Sequence, residues 1–184
     1  MRQFGPARIS AIAKRQFPRD AFGVVKRFIA LFAFFLVAGP PGFGGSDAGY
    51  KPVRGYEIQR GPAKDLKAAI AEAHRSGRNI LLQVGGNWCV WCHRLDQFFD
   101  DHAELNDLRE KNFVVLYVNF SEQNKNEKFL SQFSKPSGFP YLYALNADGQ
   151  LVKAQGTGDL EHGKGSYNPD RIREFLTKYG VGKN

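Results

Sequence analysis

The amino-acid sequence predicts a three-layer α/β domain with a separate leader in front of it. Strand-like apolar segments alternate with amphipathic helix patterns along most of the chain, and the last strands form a hairpin before a final helix. The length of 184 residues suits one domain plus a tail. The aromatic content of 14% is too high for a mainly disordered chain.

The leader is predicted over residues 1–48, which hold seven Lys or Arg and two Asp or Glu. It contains an apolar run of eleven residues, 28–38, whereas a membrane span needs about twenty. A basic segment, a short apolar core and then small residues are typical of a secretory signal peptide, with cleavage near 46–48 or 37–39. We therefore expect export, to the periplasm or as a secreted protein. A signal-anchored membrane protein and a mitochondrial protein are the alternatives.

The basic charge of the chain is concentrated in this leader. The whole sequence has a formal charge of +8, but residues 49–184 hold nineteen basic against sixteen acidic residues, scattered along the chain. Scattered charges of both signs are typical of an ordinary solvated surface. We therefore expect no nucleic-acid partner.

Residues 49–64 are predicted as a linker leading into the domain, which then occupies 65–180. Asp65 is the predicted N-cap of the first helix. The apolar residues of that helix share one face: Leu66, Ala69, Ile70 and Ala73. Residues 79–84 (NILLQV) are apolar enough to form a buried strand.

The middle of the domain continues the alternation. A helix is expected from about residue 89, interrupted at 100–102 before a second short helix near 103–110. The apolar segment 113–120 (FVVLYVNF) predicts a strand, and a short helix is expected around 126–133.

The C-terminal part carries the strongest turn signals. A strand over 141–145 and a second over 150–154 flank Asn-Ala-Asp-Gly at 146–149, which predicts a hairpin. The glycine-rich segment 156–169 is predicted as a flexible loop. Asn168-Pro169 then opens a final helix.

The most informative stretch is WCVWCH at residues 88–93. Cysteines three positions apart at the start of a helix lie close enough to form a disulfide within the first turn. The helix N-terminus favours a thiolate through its partial positive charge and free N–H groups. We expect Cys89, with its sulfur exposed at the tip, to be the nucleophile and Cys92 to resolve the mixed disulfide.

Residues around the cysteines are candidates for substrate binding. Trp88 flanks the first thiol, and Trp91 is expected to be exposed between the cysteines, where it could contact an unfolded client. Phe139-Pro140 lies before the predicted strand 141–145, where a cis-proline would place backbone groups beside the sulfurs and pair with an extended peptide.

The strand followed by WCxxC at 80–92, together with Phe139-Pro140, resembles the thioredoxin superfamily. The WCxWC motif followed by Leu95-Asp96 is most similar to exported thioredoxin-like proteins of bacteria. The resemblance covers about residues 55–180 and implies the thioredoxin fold, a central mixed sheet flanked by helices. It also implies a protein-disulfide oxidoreductase, in which Cys89 and Cys92 form the redox-active disulfide.

Further implications concern partners and the direction of electron flow. The resemblance implies protein thiols and disulfides as substrates, a membrane redox partner, a monomeric protein and no cofactor or metal. It leaves reductase, oxidase and isomerase activity open. Two positions depart from thioredoxin itself: Gln83 stands where a buried aspartate is usual, and Val90-Trp91 replaces Gly-Pro between the cysteines.

Other functions remain open for the same residues. The fold could serve as a non-catalytic binding module, or as a metal chaperone that uses Cys89, Cys92 and His93. The C-x-x-C-H pattern is also that of a c-type haem attachment site, although a methionine could not be its sixth ligand because Met1 is the only one in the sequence.

Overall fold

The computed structural model describes residues 50–163 and 165–181. The leader predicted over 1–48 lies outside the described residues. Within the described ranges, no helix combines the length and the apolar character that crossing a membrane requires.

A four-stranded mixed sheet forms the centre of the domain. Its strands are β1 (Asn79–Gly85), β2 (Phe113–Asn119), β3 (Tyr141–Leu145) and β4 (Leu151–Gly156), and their order across the sheet is β2-β1-β3-β4. β1 pairs parallel with β2, and β3 pairs antiparallel with both β1 and β4. The predicted three-layer α/β architecture with a mixed sheet is therefore confirmed.

Helices flank this sheet. They are α1 (Pro62–Ser76), α2 (Val90–Asp101), α3 (Ala103–Asn112), the single turn α4 (Glu127–Leu130) and α5 (Pro169–Lys178). Every residue of β1, β2 and β3 is buried, as expected for central strands covered on both faces. The parallel β1–β2 pair requires a crossover, which α2 and α3 supply, with the predicted break between them at His102.

The first helix begins earlier than predicted. Gly61 occupies the N-cap position without a side-chain hydrogen bond, and Pro62 starts the helix because its fixed φ suits the first turn. The prediction of Asp65 as N-cap is wrong: Asp65 lies in the first turn and accepts a 2.8 Å hydrogen bond from Arg60 Nε. The preceding segment also packs on the domain, since Val53 forms a parallel bridge with Leu116.

The segment predicted as a flexible loop contains regular structure. A 3₁₀ helix covers Thr157–Leu160, and β5 (Glu161–His162) pairs antiparallel with β6 (Ser166–Tyr167). This structure forms because Thr157 and Tyr167 are buried and bond to the domain. The predicted opening of the last helix is confirmed, with Asn168 Oδ1 accepting from the first free N–H groups of α5.

Candidate active site

The two cysteines lie at the N-terminus of α2, directly after β1 and a short turn. Cys89 is the N-cap residue, and its sulfur accepts a 3.1 Å hydrogen bond from the backbone N–H of Cys92. A disulfide joins the two residues, with their Cα atoms 5.2 Å apart. The helix N-terminus thus already supplies a donor to the first sulfur, which stabilises a thiolate there.

The exposed sulfur expected for Cys89 is not found in the disulfide form. Cys89 is 4% exposed and Cys92 is fully buried. The bond ties the Cys89 sulfur to the buried Cys92 sulfur, so the first cysteine is held against the domain. The neighbouring apolar side chains Trp88 and Val90 are instead exposed, at 55% and 61%.

Two glycines make the approach of the chain to the cysteines possible. A Cβ at Gly85 would overlap the sulfur of Cys92, and a Cβ at Gly86 would overlap the indole of Trp88 and lie 2.8 Å from the carbonyl oxygen of Phe120. Both positions therefore require a residue without a side chain, because neither the sulfur nor the backbone carbonyl can move away cheaply.

The loop before β3 reaches the same end of the domain. The Phe139-Pro140 peptide bond is cis, as expected from its position, and the carbonyl of Pro140 accepts a 2.8 Å hydrogen bond from the buried hydroxyl of Thr157. The ring of Phe139 makes an edge contact with Trp88 at a centroid distance of 5.6 Å. Of the predicted substrate-binding residues, Trp88 and Phe139 are therefore in contact, with Trp88 next to Cys89 in the chain and Pro140 bonded to Phe139.

A third aromatic ring, which the sequence did not single out, completes this surface. Phe120 stacks on Phe139 with centroids 4.7 Å apart, and its carbonyl accepts a 2.7 Å hydrogen bond from Trp88 Nε1. We call Trp88, Phe120 and Phe139 the aromatic patch. No sequence pattern marked Phe120 as a site residue, because it directly follows the apolar strand β2 and was predicted to be the last residue of that strand.

Trp91 does not have the exposure that was expected. Its ring is half-buried and makes an edge contact with Tyr167 at 5.6 Å, with the guanidinium of Arg94 4.5 Å from its centroid. The hydroxyl of Tyr167 also donates to the Trp91 carbonyl at 3.1 Å. The β5–β6 ribbon, which the sequence did not predict, brings Tyr167 to this position and covers Trp91.

A buried polar network lies next to Cys92. The side-chain amide of Gln83 donates to the Tyr56 hydroxyl at 2.8 Å and to Asp96 Oδ1 at 2.9 Å, and Tyr117 donates to the same Asp96 oxygen at 2.8 Å. Where thioredoxin usually has a buried aspartate, this chain thus has a neutral amide that holds a carboxylate from α2. Tyr56 and Tyr117 join the site only through the tertiary fold, so no local pattern could identify them.

The tyrosines of this network are held in their neutral form. Burial, and then the charge of Asp96, raise the pKa of Tyr117 to about 12. Burial raises the pKa of Tyr56 well above its usual value, although the hydrogen bond from Gln83 opposes the shift. Both hydroxyls therefore keep their protons throughout the physiological pH range.

His93 points to the backbone of the preceding turn. Its Nε2 lies 2.9 Å from the carbonyl oxygen of Asn87. Across residues 50–163 and 165–181, no three His, Cys, Asp or Glu side chains are arranged to hold a metal ion.

The strand order and the placement of the disulfide at the start of α2 put the protein in the thioredoxin-fold class. Residues 62–147 match a family model described as Thioredoxin-like. The resemblance of the motifs to the thioredoxin superfamily is therefore confirmed over this part of the chain.

Three curated relatives carry names from disulfide chemistry. The chain is 26% identical over 88 residues to the thiol:disulfide interchange protein DsbD of Vibrio cholerae, covering 48% of this chain and 14% of that protein. It is 24% identical to the disulfide bond reductase DsbH of Chlamydia pneumoniae, over 52% of this chain and 60% of the relative. It is 28% identical to the thiol:disulfide interchange protein DsbE of Pseudomonas aeruginosa, over 55% of this chain and 51% of that protein. The match thus spans a small part of the first relative and between half and two thirds of the other two.

Two solved structures show the same fold. A disulphide isomerase from Xylella fastidiosa superposes with a TM-score of 0.57 at 24% identity, over 67% of this chain and 94% of that one. The oxidised C-terminal domain of Neisseria meningitidis DsbD superposes with a TM-score of 0.50 at 12% identity, over 67% and 99%.

Proposed function

We propose that this chain is an exported thiol–disulfide oxidoreductase that acts on protein thiols and disulfides through Cys89 and Cys92. The observation that carries the proposal is the disulfide closed across the first turn of α2, beside the aromatic patch, in which the indole of Trp88 is exposed. The names of the three relatives, thiol:disulfide interchange proteins and a disulfide bond reductase, support the same chemistry.

In the reducing direction, the Cys89 thiolate attacks one sulfur of a substrate disulfide. A bond forms between Cys89 and that sulfur, the substrate S–S bond breaks, and one substrate thiolate leaves and takes up a proton. The Cys92 thiolate then attacks the Cys89 sulfur, which releases the second substrate thiolate and closes the Cys89–Cys92 disulfide. Two electrons pass to the substrate, and a dithiol partner returns the protein to its reduced form. Oxidation of a substrate dithiol runs through the same steps in reverse.

The N-terminus of α2 supports the assignment of Cys89 as the nucleophile. The backbone N–H of Cys92 already donates to the Cys89 sulfur in the disulfide form. This donor and the positive end of the helix dipole stabilise a thiolate at Cys89 when the disulfide opens, and a stabilised thiolate is the attacking and the leaving group that exchange requires.

Substrate contact is assigned to Trp88, Phe139 and Pro140, together with Phe120. The exposed indole of Trp88 and the ring of Phe139 offer an apolar surface next to Cys89, which suits unfolded or extended segments of a client protein. Trp91 has a different role in this proposal: its half-buried ring packs against Tyr167 and holds the start of α2 to the β5–β6 ribbon.

Export and partners complete the proposal. The basic and apolar pattern of residues 1–48 supports passage across a membrane, after which a membrane protein with a dithiol or disulfide would exchange electrons with Cys89. The domain acts as a monomer. Fractionation of cells that produce the full chain tests its location, and accumulation of the chain in the cytoplasm would contradict export.

Reduction of insulin disulfides by the full chain, with dithiothreitol as electron donor, tests the activity. We expect Cys89→Ser to abolish the reaction, and we expect Cys92→Ser to accumulate mixed disulfides with substrate on Cys89. The two variants serve as controls for each other, because each removes one sulfur and the intramolecular disulfide. Unchanged insulin reduction by Cys89→Ser, or no captured substrate with Cys92→Ser, would contradict the assigned roles.

A further inference from the structure

The segment before α1 places a tyrosine hydroxyl next to the redox site. Tyr56 is 3% exposed and lies outside the region 62–147 that matches the family model. Its carbonyl oxygen accepts a 3.4 Å hydrogen bond from Asn87 Nδ2, and its ring makes an edge contact with Tyr117 at 5.2 Å. Tyr56 is thus held on both its backbone and its side chain next to the turn that leads into Cys89.

The Tyr56 hydroxyl and the Cys92 sulfur both lie close to the backbone of Gly85. The position that a Cβ would take at Gly85 lies 3.1 Å from the Tyr56 oxygen and overlaps the Cys92 sulfur. Gly85 itself contributes no side chain at this position, and the sulfur and the hydroxyl are both among its three nearest heavy atoms.

Within the described part of the chain, the hydrogen bonds around Tyr56 leave its hydroxyl hydrogen without an acceptor. The Tyr56 oxygen accepts one N–H of Gln83, and the other N–H of that amide is used by Asp96. Among the described residues, the Tyr56 hydroxyl donates to no acceptor while the disulfide is closed. A buried hydroxyl without an acceptor is costly, so a charged acceptor appearing beside it would bind it strongly.

Reduction creates such an acceptor. Opening the disulfide gives Cys92 a thiol that must lose its proton before it can attack the Cys89 mixed disulfide. We propose that Tyr56 donates a hydrogen bond to the Cys92 thiolate, and that it thereby makes the resolving cysteine more acidic. This inference rests on the proposed function, because it concerns the resolving step of the same site.

The charges around Cys92 make a neutral donor useful. On α2, Asp96 follows Cys92 by one turn and its negative charge opposes a thiolate, while His93 faces the Asn87 carbonyl. Other titratable groups near the site include Arg94, also on α2, Glu161 on β5, Tyr117 on β2, Arg109 on α3 and Tyr167 on β6. Tyr117 donates to Asp96 and Tyr167 to the Trp91 carbonyl, so both hydroxyl hydrogens are already used.

The test measures the pKa of Cys92 directly, in the full chain carrying Cys89→Ser and ¹³Cβ-labelled cysteine. Only one cysteine then remains, and its ¹³Cβ chemical shift reports its ionisation as the pH is raised. We expect Tyr56→Phe to raise the pKa of Cys92 by about one unit, a tenfold change in the acid dissociation constant. Tyr143→Phe is the matched control. It also removes a tyrosine hydroxyl from the core, but that hydroxyl donates to the backbone carbonyl of Ser134.

A second replacement covers the case in which Tyr56→Phe does not fold. With 3-fluorotyrosine at position 56 the shape is almost unchanged and the hydroxyl is a stronger donor, so the pKa of Cys92 should fall. The same pKa for Cys92 with tyrosine, phenylalanine and fluorotyrosine at this position would overturn the proposal. If the pKa of Cys92 shifts as expected but the chain with both cysteines does not reduce insulin, this inference stands and the proposed function is contradicted, so the two failures are distinguishable.

Discussion

The backbone of Gly85 lies directly against the sulfur of Cys92, so closely that a single methyl group at Gly85 would overlap it. Gly85 is the last residue of β1 and Cys92 belongs to the first turn of α2, so this contact sets the distance between the end of the strand and the redox site. Because the strand ends in a residue without a side chain, the Cys92 sulfur has room where it bonds to Cys89.

We therefore expect Gly85→Ala to destabilise the oxidised protein by about 1–3 kcal/mol, the usual cost of overpacking a buried site. Urea unfolding with the disulfide intact measures the change. Gly138→Ala is the control, because a Cβ there meets no atom within 4 Å and the residue does not have a positive φ. Equal losses of stability in the two variants would show that the Gly85–Cys92 contact does not constrain the site.

Trp88 and Trp91 should respond to truncation in different ways. We expect Trp88→Ala to raise the KM for a protein disulfide several-fold with little loss of stability, because its exposed indole forms part of the aromatic patch. Trp91→Ala should instead lower the free energy of unfolding by about 2 kcal/mol, since its ring packs against Tyr167. Insulin-reduction kinetics and urea unfolding of both variants separate the two roles. A raised KM with unchanged stability for Trp91→Ala, and a loss of stability with unchanged KM for Trp88→Ala, would indicate that Trp91 contacts the substrate instead.

The hydrogen bond between Thr157 and Pro140 should stabilise the loop before β3. Thr157→Val keeps the shape of the side chain but leaves the buried Pro140 carbonyl without its donor, which should cost about 1–3 kcal/mol. Thr177→Val on the exposed side of α5 is the matched control and should cost much less. Similar unfolding midpoints for the two variants would argue that another group satisfies the carbonyl.

Several of these relationships could be predicted from the sequence and others could not. The disulfide, the cis-proline and the start of α5 each depend on residues close together in the chain: WCxWC, Phe139-Pro140 and Asn168-Pro169. The fold class followed from the alternation of strand and helix patterns, and it is confirmed.

The features that were missed depend on distant parts of the chain. Tyr56 lies in a segment without periodicity and gains its role only when it packs beside Gln83, and Trp91 is covered by a tyrosine that lies 76 residues later. The ribbon that carries this tyrosine has strands of two residues each, too short for a pattern to reveal.

The raised pKa values of three buried tyrosines predict that the protein loses stability at high pH. Tyr117, Tyr143 and Tyr167 have pKa values raised to about 12, first of all by burial, so the folded state favours their neutral form. Their contribution to stability is complete below pH 10, the usual tyrosine value, and is lost as the pH rises through about 12. The free energy of unfolding should therefore fall between pH 10 and pH 12. Tyr117→Phe should make this fall less steep, and an unchanged slope in that variant would contradict the assignment.

The central claim, reversible redox chemistry at Cys89–Cys92, is tested most directly by equilibrating the full chain in glutathione and dithiothreitol buffers and following tryptophan fluorescence. Trp88 and Trp91 adjoin the sulfurs and should report the change. We predict a reversible two-electron transition between about −270 mV, the value of a reductase, and about −120 mV, that of a strong oxidant. The transition should be absent in Cys89→Ser. A wild-type chain without any reversible two-electron transition would contradict the proposed function.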